Sequence, residues 1–228
     1  MQPISPPQSL MELTAQRIRE AIIRGELALG SKVSEQRLAD QLGVSRSPVR
    51  EALALLQIEG LIRVLPKRGS FVFTPDDKSV ADLCDHRAIL EAACLGFALE
   101  RNPEALVGGL RQGVDQMQRA IARNDSRAYS QGDMRFHSAI VDSSGNQSIA
   151  RVHDSTIGPL MALRTHLFTE MNAHLDRSMA EHAHLLEACE QRDLGRAQAI
   201  VTEHVQHLAE AYRSAAPKSS PQPLRRVR

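Results

Sequence analysis

Long apolar runs are missing from this chain: the longest unbroken aliphatic stretch covers only residues 52–56, against the roughly 20 residues needed to span a bilayer. Pro3, Pro6 and Pro7 stand where a secretory signal would need an apolar segment. The sequence therefore reads as a cytoplasmic protein with no membrane partner. Cysteine is scarce. Cys84, Cys94 and Cys189 form an odd set without CxxC spacing, which excludes a disulfide framework or a cysteine zinc cluster and leaves three small core hydrophobes. Net charge is almost absent, at +1. What is present, 228 residues of which 42% are hydrophobic and 24% charged, suffices for one large domain or two small ones and excludes a solvated coil.

The small net charge conceals an uneven distribution. Residues 1–75 carry ten basic against seven acidic side chains, residues 76–213 fourteen against twenty, and the last fifteen residues four basic and none acidic. All nine histidines, from His86 to His207, lie in the acidic middle. This pattern assigns polyanion recognition to the front of the chain and imidazole chemistry to the rest.

Helical periodicity starts over residues 14–24, with Ile18, Ala21 and Ile22 on one face and Gly25 as the stop. Ser34 caps a second helix bearing Leu38, Ala39 and Leu42, which Gly43 ends. Ser45 caps a third, with Pro48 in its first turn and Val49, Ala52, Leu53 and Leu56 as its buried stripe. Two β-rich runs then flank Pro66-Lys67-Arg68-Gly69, which is hairpin chemistry. Two helices joined by a glycine turn and followed by a basic-tipped hairpin describe a winged helix-turn-helix. Arg46 and Arg50 lie one turn apart, with Ser47 beside them, opposite the apolar stripe, where they can enter a major groove. Lys67 and Arg68 at the wing tip would hold the DNA backbone or an adjacent minor groove.

These residues carry a resemblance. GELALG at 25–30, VSEQRLA at 33–39, LGVSRSPVREAL at 42–53, EGL at 59–61 and RGSFV at 68–72 closely resemble the reading head of the GntR superfamily of bacterial transcription regulators. The resemblance implies that Arg46, Ser47, Arg50, Arg68 and Gly69 touch double-stranded operator DNA. Leu29 departs from it, since a proline commonly precedes that glycine.

Beyond Pro75 the pattern is helical, with breaks at Asn102-Pro103, Asn124-Asp125, residues 143–146 and Arg192-Asp193. The expected architecture is mainly α: a flexible stretch at 1–9, a winged helix-turn-helix at 10–75, an all-α antiparallel bundle of about six helices at 76–213, and a disordered basic tail at 214–228. On a wheel of 100° per residue, Asp133 and His137 fall within the apolar stripe of Tyr129, Phe136 and Ile140. His182 shares a face with Leu185, Leu186 and Cys189 on a helix opened by a capping box at Ser178 and Glu181, while His184 points away. His204 joins Ala197, Val201, Leu208 and Ala211.

One carboxylate and three imidazoles thus face the interior, where they need partners. A divalent transition metal satisfies all four at once, zinc first, with nickel, cobalt or manganese also suited to an O and three N donors. His207 is the alternative to His204. This half resembles the FCD domain, the ligand-sensing domain of the FadR branch, through LCDHR at 83–87 with Glu91, DMRFH at 133–137, SGN at 144–146, EHAHLL at 181–186 and residues 197–204. Its short length is similar to that of the VanR-like subgroup. The resemblance implies the same four ligands, Asp133, His137, His182 and His204.

Arg87 and Arg164 also fall on apolar stripes, and neither belongs there without an anion. Either they form buried ion pairs, Arg87 with Glu91 and Arg164 with Asp133 or another acid, or they hold a small carboxylate effector whose other end reaches the metal. The expected function is a metabolite-responsive transcription regulator acting as a homodimer. The alternative is a metal-dependent enzyme tethered to a DNA-binding domain, although no evident base or nucleophile accompanies the ligands.

Overall fold

The structure, a computed structural model, describes residues 9–170 and 175–215. Its order is α1 (Leu10–Ile23), β1 (Lys32–Val33), α2 (Glu35–Leu42), α3 (Arg46–Ile58), β2 (Ile62–Leu65), β3 (Gly69–Val72), α4 (Asp77–Arg101), α5 (Pro103–Ala122), α6 (Ser126–Ser143), α7 (Gln147–Glu170), α8 (Leu175–Glu190) and α9 (Leu194–Ala215). Both expected terminal stretches fall mainly outside the described residues. Of them, Ser9 caps α1 through a reciprocal capping box with Glu12, and residues 214–215 complete α9.

The front of the chain is a winged helix-turn-helix. Gly43 leaves α2 at φ +66°, a left-handed conformation that glycine adopts without steric cost, and this turns the chain into α3. Leu65 pairs with Gly69 across the hairpin. The sheet also contains β1 on the far side of β3, with Lys32 opposite Phe71 and Val33 opposite Ser70, so the wing is three-stranded where the sequence pattern showed two strands. Two residues are too few to display an alternation. Ser45 is the N-cap of α3 by position, but its side chain makes no capping hydrogen bond.

Buried apolar side chains gather in two clusters. One holds Ile18, Ile22, Val49, Leu53, Leu56, Leu61 and Val72 of the winged domain together with Ala162 of α7. The other fills the space among α4 to α9 and includes all three cysteines. Helix boundaries fall at the expected breaks, but two starts differ: α1 begins at Leu10, four residues before the periodicity read over 14–24, and α8 begins at Leu175, so Ser178 lies inside it and is not its N-cap. Among the described residues no helix is long and apolar enough to cross a membrane.

Close packing of α5 on α6 sets the height of the ligand-bearing helix. A Cβ on Gly113 would lie 2.7 Å from Phe136 Cβ and 2.9 Å from its Cα, so the two backbones approach only because that side chain is absent. Phe136 precedes His137, and the contact therefore fixes the position of the site. Gly113→Ala is expected to destabilise the fold by about 1–3 kcal/mol through overpacking. Gly108→Ala, on the same helix with open space around its Cβ, should stabilise by about 0.5–1 kcal/mol. Urea unfolding of the two variants checks both signs.

Candidate functional site

The interior site is built by three helices. Asp133 and His137 project from consecutive turns of α6, His182 from α8 and His204 from α9, and all four are buried. One potential ligand atom from each lies within 4.8 Å of every other. His137 Nε2 is 3.2 Å from both His182 Nε2 and His204 Nε2, and His182 Nε2 is 3.1 Å from Asp133 Oδ1. His207 faces away from the cluster, bonding Glu181 through Nδ1 at 2.7 Å, and His184 is exposed.

The far side of two rings settles their tautomers. His137 Nδ1 donates to Glu91 Oε2 and His204 Nδ1 to Glu181 Oε2, each at 2.7 Å, because a carboxylate oxygen can only accept. Burial pushes His137 well below the usual histidine range, aided by the charge of Arg87, and pushes His204 down to about 3. Both rings are neutral at pH 7, and each carries its single hydrogen on Nδ1. Their bare Nε2 lone pairs therefore face one another at 3.2 Å, an unfavourable contact unless a cation lies between them. Burial also lowers His182, which can give its Nε2 hydrogen to Asp133. Although burial would raise Asp133, the charge of Arg164 and the His182 hydrogen bond hold it well below the carboxylate range.

Beyond the ligands stand two ion pairs. Arg87 Nε meets Glu91 Oε1 at 2.5 Å, so one carboxylate joins Arg87 to His137. Arg164 bonds Asp133 Oδ1. Both arginines are buried, and both line a cavity of about 10 Å³ beside the cluster, along with Asp133, His137, Met134 and His153. That space matches one water-sized group. Sequence reading missed His153, although its spacing to Ile157, Leu160 and Arg164 puts it on the same stripe of α7. It also missed the bond from Glu181 to His204, because Glu181 was assigned to a cap.

The second candidate surface lies on α3 and the wing. Arg46 and Arg50 are exposed on one face, as their spacing predicts, and both reach Glu35 Oε2, at 3.1 and 3.2 Å. Glu35 opens α2; the sequence pattern gave no sign of this bridge, which spans eleven to fifteen residues. Hydrogen bonds from Arg50 and Arg46 hold the Glu35 carboxyl below its ordinary range. Ser47 bonds Glu51 at 3.0 Å. At the wing tip Lys67 has φ +61°, the left-handed region that disfavours side chains, and Arg68 N closes the turn onto Leu65 O. Gly69 follows at φ +105°. Lys67 and Arg68 are both exposed at this tip.

Comparison with known proteins agrees in both halves. Residues 10–72 match the family profile described as bacterial regulatory proteins, gntR family, and residues 82–207 match the FCD domain. An uncharacterized HTH-type transcriptional regulator in an unstable DNA locus of Streptomyces ambofaciens is 32% identical over 189 residues, covering 83% of this chain and 79% of that protein. The gluconate operon transcriptional repressor of Bacillus licheniformis is 30% identical over 174 residues, covering 75% and 68% respectively. Among solved structures, a structural-genomics GntR from Rhodococcus sp. RHA1 aligns with TM-score 0.80 at 21% identity, over 91% of this chain and 99% of its own. E. coli McbR/YncC gives 0.79 at 21% identity over the same shares. At that identity the two structures establish the fold.

The α3 geometry generates a test. Arg46→Ala and Arg50→Ala should each lower specific operator affinity by about 10- to 100-fold, whereas Lys67→Ala should weaken all DNA sequences alike and flatten the salt dependence. Gel shifts at two salt concentrations check this. Unchanged operator affinity in the double arginine variant would rule out α3 as the reading helix.

Proposed function

The chain belongs to the GntR family of bacterial transcriptional regulators and carries an FCD domain, and from that premise we propose that it is a cytoplasmic, metal-containing repressor whose dimer binds operator DNA and responds to a small organic acid. The observation that carries the reading is the convergence of Asp133 Oδ1 with two bare Nε2 atoms and the His182 ring.

The donor set fits a divalent transition metal, zinc foremost, with nickel, cobalt or manganese as alternatives. Asp133, His137, His182 and His204 would hold it. Glu91 and Glu181 orient two of the rings from behind, which raises ligand basicity. When bound, the metal would supply a Lewis-acidic centre that attracts oxygen donors. An enzyme is disfavoured because both non-ligand carboxylates that bond the ligand rings have both oxygens engaged, Glu91 by Arg87 and His137 and Glu181 by His204 and His207, and because the named relatives are regulators.

Arg87 and Arg164 give the site its preference for an anion. Burial lowers the Arg164 guanidinium although Asp133 opposes the shift. Metal charge added to two buried guanidinium groups exceeds what Glu91 and Asp133 balance, and an incoming carboxylate offsets the excess. Helix α7 lines the cavity with His153 and Arg164 and packs on the reading head through Ala162, which would supply the route from acid to DNA. The acid would act by shifting the balance between two placements of the reading heads in the dimer.

Metal analysis of purified protein should find one divalent ion per chain. His182→Ala should lower metal affinity by at least about tenfold, while His184→Ala should retain it. Full metal content in His182→Ala, or a chelated protein of undiminished thermal stability, would refute the centre.

A further inference from the structure

One carboxylate stands inside the reading surface. Glu35, the first residue of α2, lies between the two arginines of α3: its Oε2 is 3.1 Å from Arg46 Nη2 and 3.2 Å from Arg50 Nη2, and its Oε1 is 3.4 Å from Arg50 Nε. The arginine side chains are 56% and 67% exposed and that of Glu35 27%. A helix N-terminus favours an acid, but neither that nor so exposed an ion pair adds much to stability, while an acid on a surface that must meet phosphate opposes binding. Stability alone therefore does not account for its place.

Guanidinium geometry shows what the carboxylate does. The donors of Arg50 form a fixed planar fork; Glu35 takes its side edge, Nε with Nη2, and leaves its end edge, Nη1 with Nη2, to present two parallel donors. Such a pair matches O6 and N7 of guanine. A phosphate can use either edge, since it is a charged acceptor that an arginine fork also fits. At the side edge it must displace Glu35, and at the end edge it lies beside a second anion. A guanine edge carries no formal charge and meets neither obstacle. The same carboxylate holds together two guanidinium groups that would otherwise repel each other and swing apart.

We propose that Glu35 is a specificity-determining residue of the DNA-reading surface, which holds Arg46 and Arg50 toward base edges and turns them away from phosphate. The inference rests on the reading that α3 enters the major groove. It assigns discrimination to a repulsive element set beside the attractive ones: affinity for any duplex is lowered so that affinity for the right one stands out.

The probes are the duplex that the full-length protein enriches from a randomised pool and a scrambled duplex of the same composition, with affinity for each read across a salt series. Glu35→Gln keeps the shape and removes the charge. Its affinity for the scrambled duplex should rise, with log K against log salt steeper by about 0.9 for each reading head bound, and the ratio of enriched to scrambled affinity should fall at least about tenfold. Asp40→Asn removes a charge from the same helix, where the carboxylate bonds Gln36 at 2.8 Å, and should leave that ratio unchanged. A ratio unchanged by Glu35→Gln, a fall matched by Asp40→Asn, or an equal loss of both affinities would overturn the proposal. The Arg46→Ala/Arg50→Ala variant separates it from its premise. If that variant keeps the full ratio, α3 does not read the sequence and the premise fails; if it loses the ratio while Glu35→Gln keeps it, only the role of Glu35 fails.

Discussion

Four buried groups of formal charge, Arg87, Glu91, Asp133 and Arg164, impose the constraint on which the rest of the helical half depends. None is more than 4% exposed, and an uncompensated charge at such depth is not tolerated. The compensation uses α4, α6, α7 and α8. Glu91 on α4 engages Arg87 with one oxygen and His137 of α6 with the other. Asp133 on α6 engages Arg164 of α7 and His182 of α8. Because both carboxylates bridge, no member can move without exposing another, and the imidazole nitrogens are held at separations set by these pairs. The geometry of the ligand cluster is thus a consequence of charge pairing as much as of apolar packing, and the close contact of Gly113 with Phe136 fixes where α6 delivers its two members.

The same logic explains what the sequence could and could not show. Asp133 and His137 were legible because an i,i+4 pair inside an apolar stripe is a local signal, and His182 and His204 because each interrupts a stripe of its own helix. The reading helix was legible for the same reason: its polar face and its apolar face are both encoded within thirteen residues. Contacts between distant segments left no such trace. Glu35 meets Arg46 and Arg50 only after α2 and α3 fold against each other. Glu181 looked like a helix cap because Ser178 stands three residues before it, yet α8 starts earlier, which frees the carboxylate to bridge His204 and His207. The wing's third strand was hidden by its length of two residues.

Helix α7 is the element that belongs to both cores. At 100° per residue, His153, Ile157, Leu160 and Arg164 fall on one face, the face that lines the cavity. Gly158 and Ala162 fall roughly opposite. Ala162 is part of the apolar core of the winged domain, and a Cβ on Gly158 would lie 3.0 Å from Leu61 Cδ1. One helical rod therefore separates the arginine of the cavity from the residue that joins α3 to the wing. Pro159 lies between these contacts and has no N–H to offer the Ser155 carbonyl, which removes one rung of the helix ladder and locates its most compliant point there. A group that enters the cavity meets Arg164 and His153 directly, and the helix can respond by shifting as a rod or by bending at Pro159. A rod shift carries Ala162 with it, and Leu61 must follow because packed side chains leave no slack to absorb the displacement. Bending at Pro159 would act on the same region, since a Cβ on Gly60, just beyond α3, would lie 3.5 Å from Pro159 Cγ. Under the proposed effector reading, either response would reach Leu61, which follows the helix that bears Arg46 and Arg50.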